Sequence, residues 1–155
     1  MANIAADERE THRGQFQSAL YAMANRHKLT LMVTLAYNRE TPPEVVERDL
    51  SHFLGRMDRE LLGSGWAKKP SERRTRHFSV LEHPRTNAHI HMLVSPADGQ
   101  WIKFGGLAEA LWKGVVASGS VRVEPISSLT GALGYVTKFI SPERADRLIL
   151  APFHV

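Results

Sequence analysis

Residues 77–94 read HFSVLEHPRTNAHIHMLV, and the fold turns on this stretch. His77 to His83 and Ala88 to Val94 are short runs rich in apolar and β-favouring residues, separated by the turn-forming Pro84-Arg-Thr-Asn87. Two such runs on either side of a short polar loop predict an antiparallel hairpin. Residues two apart in a strand share a face, so His89 and His91 project together while Ile90 and Met92 face the other way. A four-residue loop closed by His83 and Ala88 sets Glu82 directly opposite His89, with His91 diagonal to it on the same face. A slip of one residue would turn Glu82 away.

Upstream, Lys28 to Asn38 (KLTLMVTLAYN) alternates Leu29, Leu31, Val33, Leu35 and Tyr37 with Thr30, Met32, Thr34, Ala36 and Asn38. That period of two predicts a central strand. Between these strands, Thr41-Pro-Pro-Glu44 reads as a capping box with proline in the first turn. It opens a helix whose buried stripe is Val46, Leu50, Phe53, Leu54, Met57 and Leu61, and Gly63-Ser-Gly65 ends it. Glu8 to Asn25 reads as a first helix, with Phe16, Ala19, Leu20 and Met23 at helical spacing. Downstream, Gly106 to Val116 is expected to be helical on Leu107, Leu111 and Val115, and Val121 to Ile126 to be a strand. Ser127 or Ser128 caps a last helix that runs through Ile140 before Pro142. The order α-β-α-β-β-α-β-α favours an α+β fold, an antiparallel sheet covered by helices.

The 155 residues suit one domain spanning 1–155. No apolar run approaches a membrane span, and the polar, acidic first ten residues do not resemble a signal peptide. There is no cysteine, which excludes disulfides and thiolate metal sites. A cytoplasmic location is the default expectation. The formal charge of +4 and a pI near 9.7 suit a polyanionic partner. Lys68, Lys69, Arg73, Arg74 and Arg76 cluster in one basic stretch, expected either to track phosphates or to form a solvated loop.

His89, His91 and Glu82 together suit a divalent metal, because imidazole and carboxylate are ligands for first-row ions. The same register also suits Glu82 as the cross-strand partner of a protonated histidine. On the last helix, Tyr135 and Lys138 share a face at i, i+3. Gly131 and Gly134, just before them, are unfavourable in a helix interior. They suggest close approach, of the helix to the sheet or of a nucleic-acid backbone to the helix.

In combination, Glu82, His89-Ile-His91 and Tyr135-x-x-Lys138 resemble the HUH Rep endonucleases of plasmids, phages and small DNA viruses. LMVTLAYN (Leu31 to Asn38), HIHMLV and GYVTKF resemble that family's three motifs in order, and the likeness spans Leu29 to Ile140. It implies a ferredoxin-like or RRM-like sheet and sequence-specific nicking and joining of single-stranded DNA at an origin or hairpin. The activity would leave a 5′-phosphotyrosine and a free 3′-OH, initiating rolling-circle replication of a plasmid or phage-like element. It also implies Glu82, His89 and His91 as ligands of Mn²⁺ or Mg²⁺, Tyr135 as nucleophile, and Lys138 as a residue orienting or neutralising phosphate. Lys68, Lys69, Arg73, Arg74 and Arg76, with Thr34, Asn38 and Lys103, are the expected DNA contacts.

No Gly-x-x-x-x-Gly-Lys-Ser/Thr loop is present, so no helicase is expected within these residues, and a host or separate helicase is a candidate partner. Single-tyrosine HUH transposases are the nearest alternative, but their pattern calls for glutamine four residues after the tyrosine, where this chain has Phe139. A non-catalytic nucleic-acid-binding domain is the alternative from another class.

Overall fold

The computed structural model describes residues 14–15 and 18–137. A helix, α1, covers residues 18–27 and stops where Lys28 takes a left-handed φ of 52°. There follow β1 (Leu31–Ala36), α2 (Pro43–Leu62), β2 (Arg76–Glu82), β3 (His89–Ser95), α3 (Trp101–Val115), β4 (Ser120–Pro125) and α4 (Leu129–Thr137). Single turns of 3-10 helix occupy Trp66–Lys68 and Ala97–Gly99. The four strands form one sheet in the order β2-β3-β1-β4, and every neighbouring pair is antiparallel. Two β-α-β crossings interleaved in this way give an α+β, ferredoxin-like arrangement.

Strand alternation sorts side chains onto two faces. Leu31, Val33 and Leu35 of β1, Leu81 of β2 and Ile90, Met92 and Val94 of β3 pack against Val46, Leu50, Phe53, Met57 and Leu61 of α2 and Phe104, Ala108 and Trp112 of α3. The other face is covered differently. Phe78, Val80 and Leu93 meet Leu20 and Ala24 of α1 and Ala132 and Leu133 of α4. Helices therefore flank the sheet on both sides, with an apolar cluster on each.

The helices differ in detail from the sequence expectation. Pro42, not Thr41, is the N-cap of α2, and it makes no side-chain cap bond. Thr41 is instead buried, its N–H donating to the Pro84 carbonyl at 2.9 Å. The chain must reach the hairpin loop at that point, and this overrides capping chemistry. Leu54 lies partly buried beside the α2 stripe. Helix α3 starts at Trp101, five residues before Gly106. Its fully buried residues are Phe104, Ala108 and Trp112, while Leu107, Leu111 and Val115 are partly buried. At the last helix Ser128 is the cap, its Oγ accepting the Gly131 N–H at 3.1 Å.

One core histidine has a consequence for stability. His77 on β2 is 4% exposed, and its Nδ1 lies 2.7 Å from Ser79 Oγ. Burial disfavours its charged form and pushes its pKa from 6.5 down to about 4. Between those two values the unfolded chain takes up a proton that the native chain refuses. The contribution is therefore complete above pH 6.5 and is lost as pH falls towards 4, by about 3 kcal/mol at 1.36 kcal/mol per unit. Urea unfolding at pH 7.5 and 4.5 should show this loss in the wild type and a smaller one in His77→Leu. Equal losses would remove His77 as the cause. The comparison between variants matters, because Asp58, pushed up by burial, acts in the opposite sense.

Candidate functional site

The hairpin has the expected register. Glu82 pairs with His89, Leu81 with Ile90 and Val80 with His91. Asn87 and Ala88 precede β3, and Glu82 is the last residue of β2, so the histidines and the glutamate meet at the loop end of the ladder. They lie on the face shared with α1 and α4, beyond the part that the apolar cluster fills. β1 continues this surface. Thr34 stands opposite His91 and Ala36 opposite His89.

Polar contacts tie the group together. His91, 5% exposed, places Nε2 at 2.6 Å from Glu82 Oε2, and its Nδ1 lies 3.4 Å from Thr34 Oγ1. That separation is a hydrogen-bond length, so a proton lies between that nitrogen and that oxygen. The other carboxylate oxygen of Glu82 lies 2.9 Å from His83 Nε2. His89 has Nδ1 at 2.7 Å from the Asn87 carbonyl. An N–H must donate there, so the neutral ring carries its lone pair on Nε2. Metal-binding histidines are commonly oriented by this kind of bond.

The His89 and His91 rings are parallel, with centres 6.3 Å apart. Among the described residues no set of three or more histidine, aspartate or glutamate side chains is gathered closely enough to hold an ion as it stands. The donor types fit a first-row cation, and the Glu82–His91 pair is the part already assembled.

Helix α4 brings Tyr135 onto this group. Its ring meets that of His91 edge to face, centres 5.7 Å apart, and the residue remains 41% exposed. Tyr37 is a different case. It is fully buried and its hydroxyl donates to Asp49 at 3.1 Å; burial and that carboxylate push its ionisation well above the ordinary range. Tyr37 is thus a core residue. A Cβ built on Gly134 meets no atom within 4 Å, so helix-to-sheet crowding does not require this glycine. Lys138 and Phe139 lie outside the described residues.

The expected DNA contacts separate into groups. Thr34 is within the site. Asn38, with φ of 57°, stands at the same end of β1, but its amide nitrogen donates to Ser118 O at 2.9 Å and Ser120 Oγ at 3.2 Å. Lys103 belongs to α3 on the opposite layer and donates to the Glu60 carbonyl at 2.9 Å. The basic stretch Lys68 to Arg76 leads into the other end of β2. Arg76 pairs with Ser95 at the end of the ladder away from Glu82 and His89, about 20 Å along the strand at 3.3 Å per residue. Within it, Arg73 forms a two-pronged bond to Asp98 at 2.8 and 3.1 Å, and Arg76 bonds His27 and Ser95.

Two residues at the site escaped the sequence reading. His83 reaches Glu82 because it leaves the strand with a φ of 51°, a turn detail without a sequence signature beyond its place before proline. Arg122 stands opposite Thr34 on β4, in line with His91 on Thr34's other side. The alternation of Val121 and Val123 with Arg122 was the available signal.

Comparison with protein-family models, with curated proteins and with solved structures gives no match in any of the three. No helix among the described residues is long and apolar enough to cross a membrane.

Proposed function

We propose that the protein is a metal-dependent, single-tyrosine endonuclease of the HUH Rep type. It would nick and rejoin single-stranded DNA at an origin or hairpin, initiating rolling-circle replication of a plasmid or phage-like element. The observation that carries the reading is the meeting of an exposed tyrosine with the Glu82–His91 pair, 5.7 Å between the rings of Tyr135 and His91. These residues come from three separate elements, and an ordinary core has no use for an accessible phenol over a buried, hydrogen-bonded histidine.

Each residue has a task in this reaction. Glu82, His89 and His91 would hold Mn²⁺ or Mg²⁺, with the imidazoles favouring Mn²⁺. When bound, such an ion supplies positive charge against the scissile phosphate. The Tyr135 oxygen forms a bond to phosphorus as the bond to the 3′ oxygen breaks. The phenol proton leaves to solvent, and the departing 3′ oxygen gains one. The 5′ end stays on the protein as a phosphotyrosine ester, so rejoining needs no nucleotide cofactor. Thr34 steadies His91 from β1. Lys138, by the resemblance, balances phosphate charge. The basic stretch would meet only a distant part of a bound strand, and unwinding would need a helicase outside residues 1–155.

The test is direct. Protein incubated with random single-stranded DNA and Mn²⁺ should yield a species of retarded mobility on a denaturing gel. EDTA should abolish that species while leaving the thermal unfolding transition in place. One observation favours a second reading, a non-catalytic single-strand-binding sheet: both oxygens of Glu82 already contact histidines, His83 at 2.9 Å and His91 at 2.6 Å. DNA binding without any adduct, whatever the divalent ion, would select that reading.

A further inference from the structure

We propose that Arg122 binds the phosphate neighbouring the scissile one, so that the bound strand crosses the sheet from the Glu82 side towards β4. The inference rests on the nicking reading and adds the path of the substrate. Thr34 pairs with His91 on one side and with Arg122 on the other. Directly opposed side chains share a face, which puts Arg122 in line with His91. Two strand spacings separate their backbones, about 10 Å. Arg76 and Arg122 are the arginines of the four strands, which carry no lysine, and Arg76 lies at the far end, bonded to His27 and Ser95.

The present partner of Arg122 is Glu124, two residues along the same strand, with contacts of 2.7 and 2.9 Å. The Arg122 side chain is 77% exposed, and an exposed pair of this kind contributes little. Phosphate can therefore replace it, and the planar guanidinium fork suits two phosphate oxygens. Glu124 then has a second effect. It holds Arg122 when no strand is bound, and its charge repels a polyanion from the β4 edge. The two neighbours should act on binding with opposite signs.

The experiment measures binding of a random-sequence single-stranded oligonucleotide by fluorescence anisotropy across a salt series, with adduct formation followed in parallel. Arg122→Ala should lower the slope of log affinity against log salt by about 0.7, the share of one phosphate on a single strand. Arg122→Lys should keep most of that slope, and Glu124→Gln should bind more tightly than wild type. Lys113→Ala, on α3 across the sheet, is the control for a lost surface charge. If wild type binds and forms adduct while Arg122→Ala matches Lys113→Ala, the assignment of Arg122 falls and the nicking reading stands. If wild type binds without forming adduct, the nicking reading falls, and the slopes still judge Arg122 as a phosphate contact. Wild type that binds no single strand overturns both.

Discussion

Tyr135→Phe should fold, bind single-stranded DNA with near wild-type affinity and form no covalent adduct at all. The substitution removes one oxygen and keeps the ring that meets His91 edge to face, so the packing on α4 is retained. The loss should be total within detection, because a phenyl ring offers no atom able to attack phosphorus. That separates nucleophile from supporting residue. Losing a charged donor such as Lys138 would weaken transition-state stabilisation by about 2–4 kcal/mol, or about 10²–10³ in rate, and slow cleavage would persist. Peptide mapping of the wild-type adduct completes the measurement. A DNA-linked peptide containing Tyr21, which is 44% exposed, or adduct formed by Tyr135→Phe, would end the assignment of Tyr135.

Trp112→Ala should be the most damaging single change to the fold. Trp112 is fully buried, and its rings stand edge to face with Tyr37 at 5.1 Å and Phe53 at 5.7 Å. Its indole N–H donates to the Ala36 carbonyl at 3.0 Å. Truncating a buried tryptophan costs about 3–5 kcal/mol in lost burial and residual cavity. Losing the indole bond to that carbonyl adds about 0.5–1.5 kcal/mol. A domain of ordinary stability has only about 5–15 kcal/mol in hand, so a drop in melting temperature of at least about 10 °C is expected. Trp112→Phe, which keeps a ring and loses the N–H, should fall between. A loss below about 1 kcal/mol for Trp112→Ala, read by urea unfolding, would show that α3 is not anchored to β1 through this residue. The anchor matters to the site because Ala36 pairs with His89.

The hairpin was legible because alternation and loop length constrain each other. One slip would have buried Glu82 among Ile90 and Met92, so the register of Glu82 with His89 had little freedom. Helix α3 was harder. Its apolar residues run nearly all the way round, and Leu107, Leu111 and Val115 satisfy helical spacing as well as Phe104, Ala108 and Trp112 do. Only the fit against α2 and the sheet distinguishes the two stripes. The basic stretch was legible as charge but not as a place in the fold. Sequence proximity showed a cluster of charge, but the partner of Arg73 is Asp98, far along the chain, and the stretch enters the remote end of β2. Local alternation shows the face of Arg122, but its alignment with Thr34 and His91 depends on pairing with β1, a contact that no local window contains.

The placement of β1 has a consequence during synthesis. Its two partners in the sheet, β3 and β4, both come later in the chain, and β4 follows α3. Pairings between segments so distant form slowly, because loop closure must precede any gain from contact. Until β4 has left the ribosome, β1 presents an unpaired edge rich in leucine and valine, the kind of edge that invites aggregation. A nascent chain ending in α3 already contains Glu82, His89 and His91, yet it lacks the strand that seals β1 and the helix that carries Tyr135. Such an intermediate exposes an aggregation-prone edge, and the Glu82, His89, His91 and Tyr135 group is complete only with the last strand and helix.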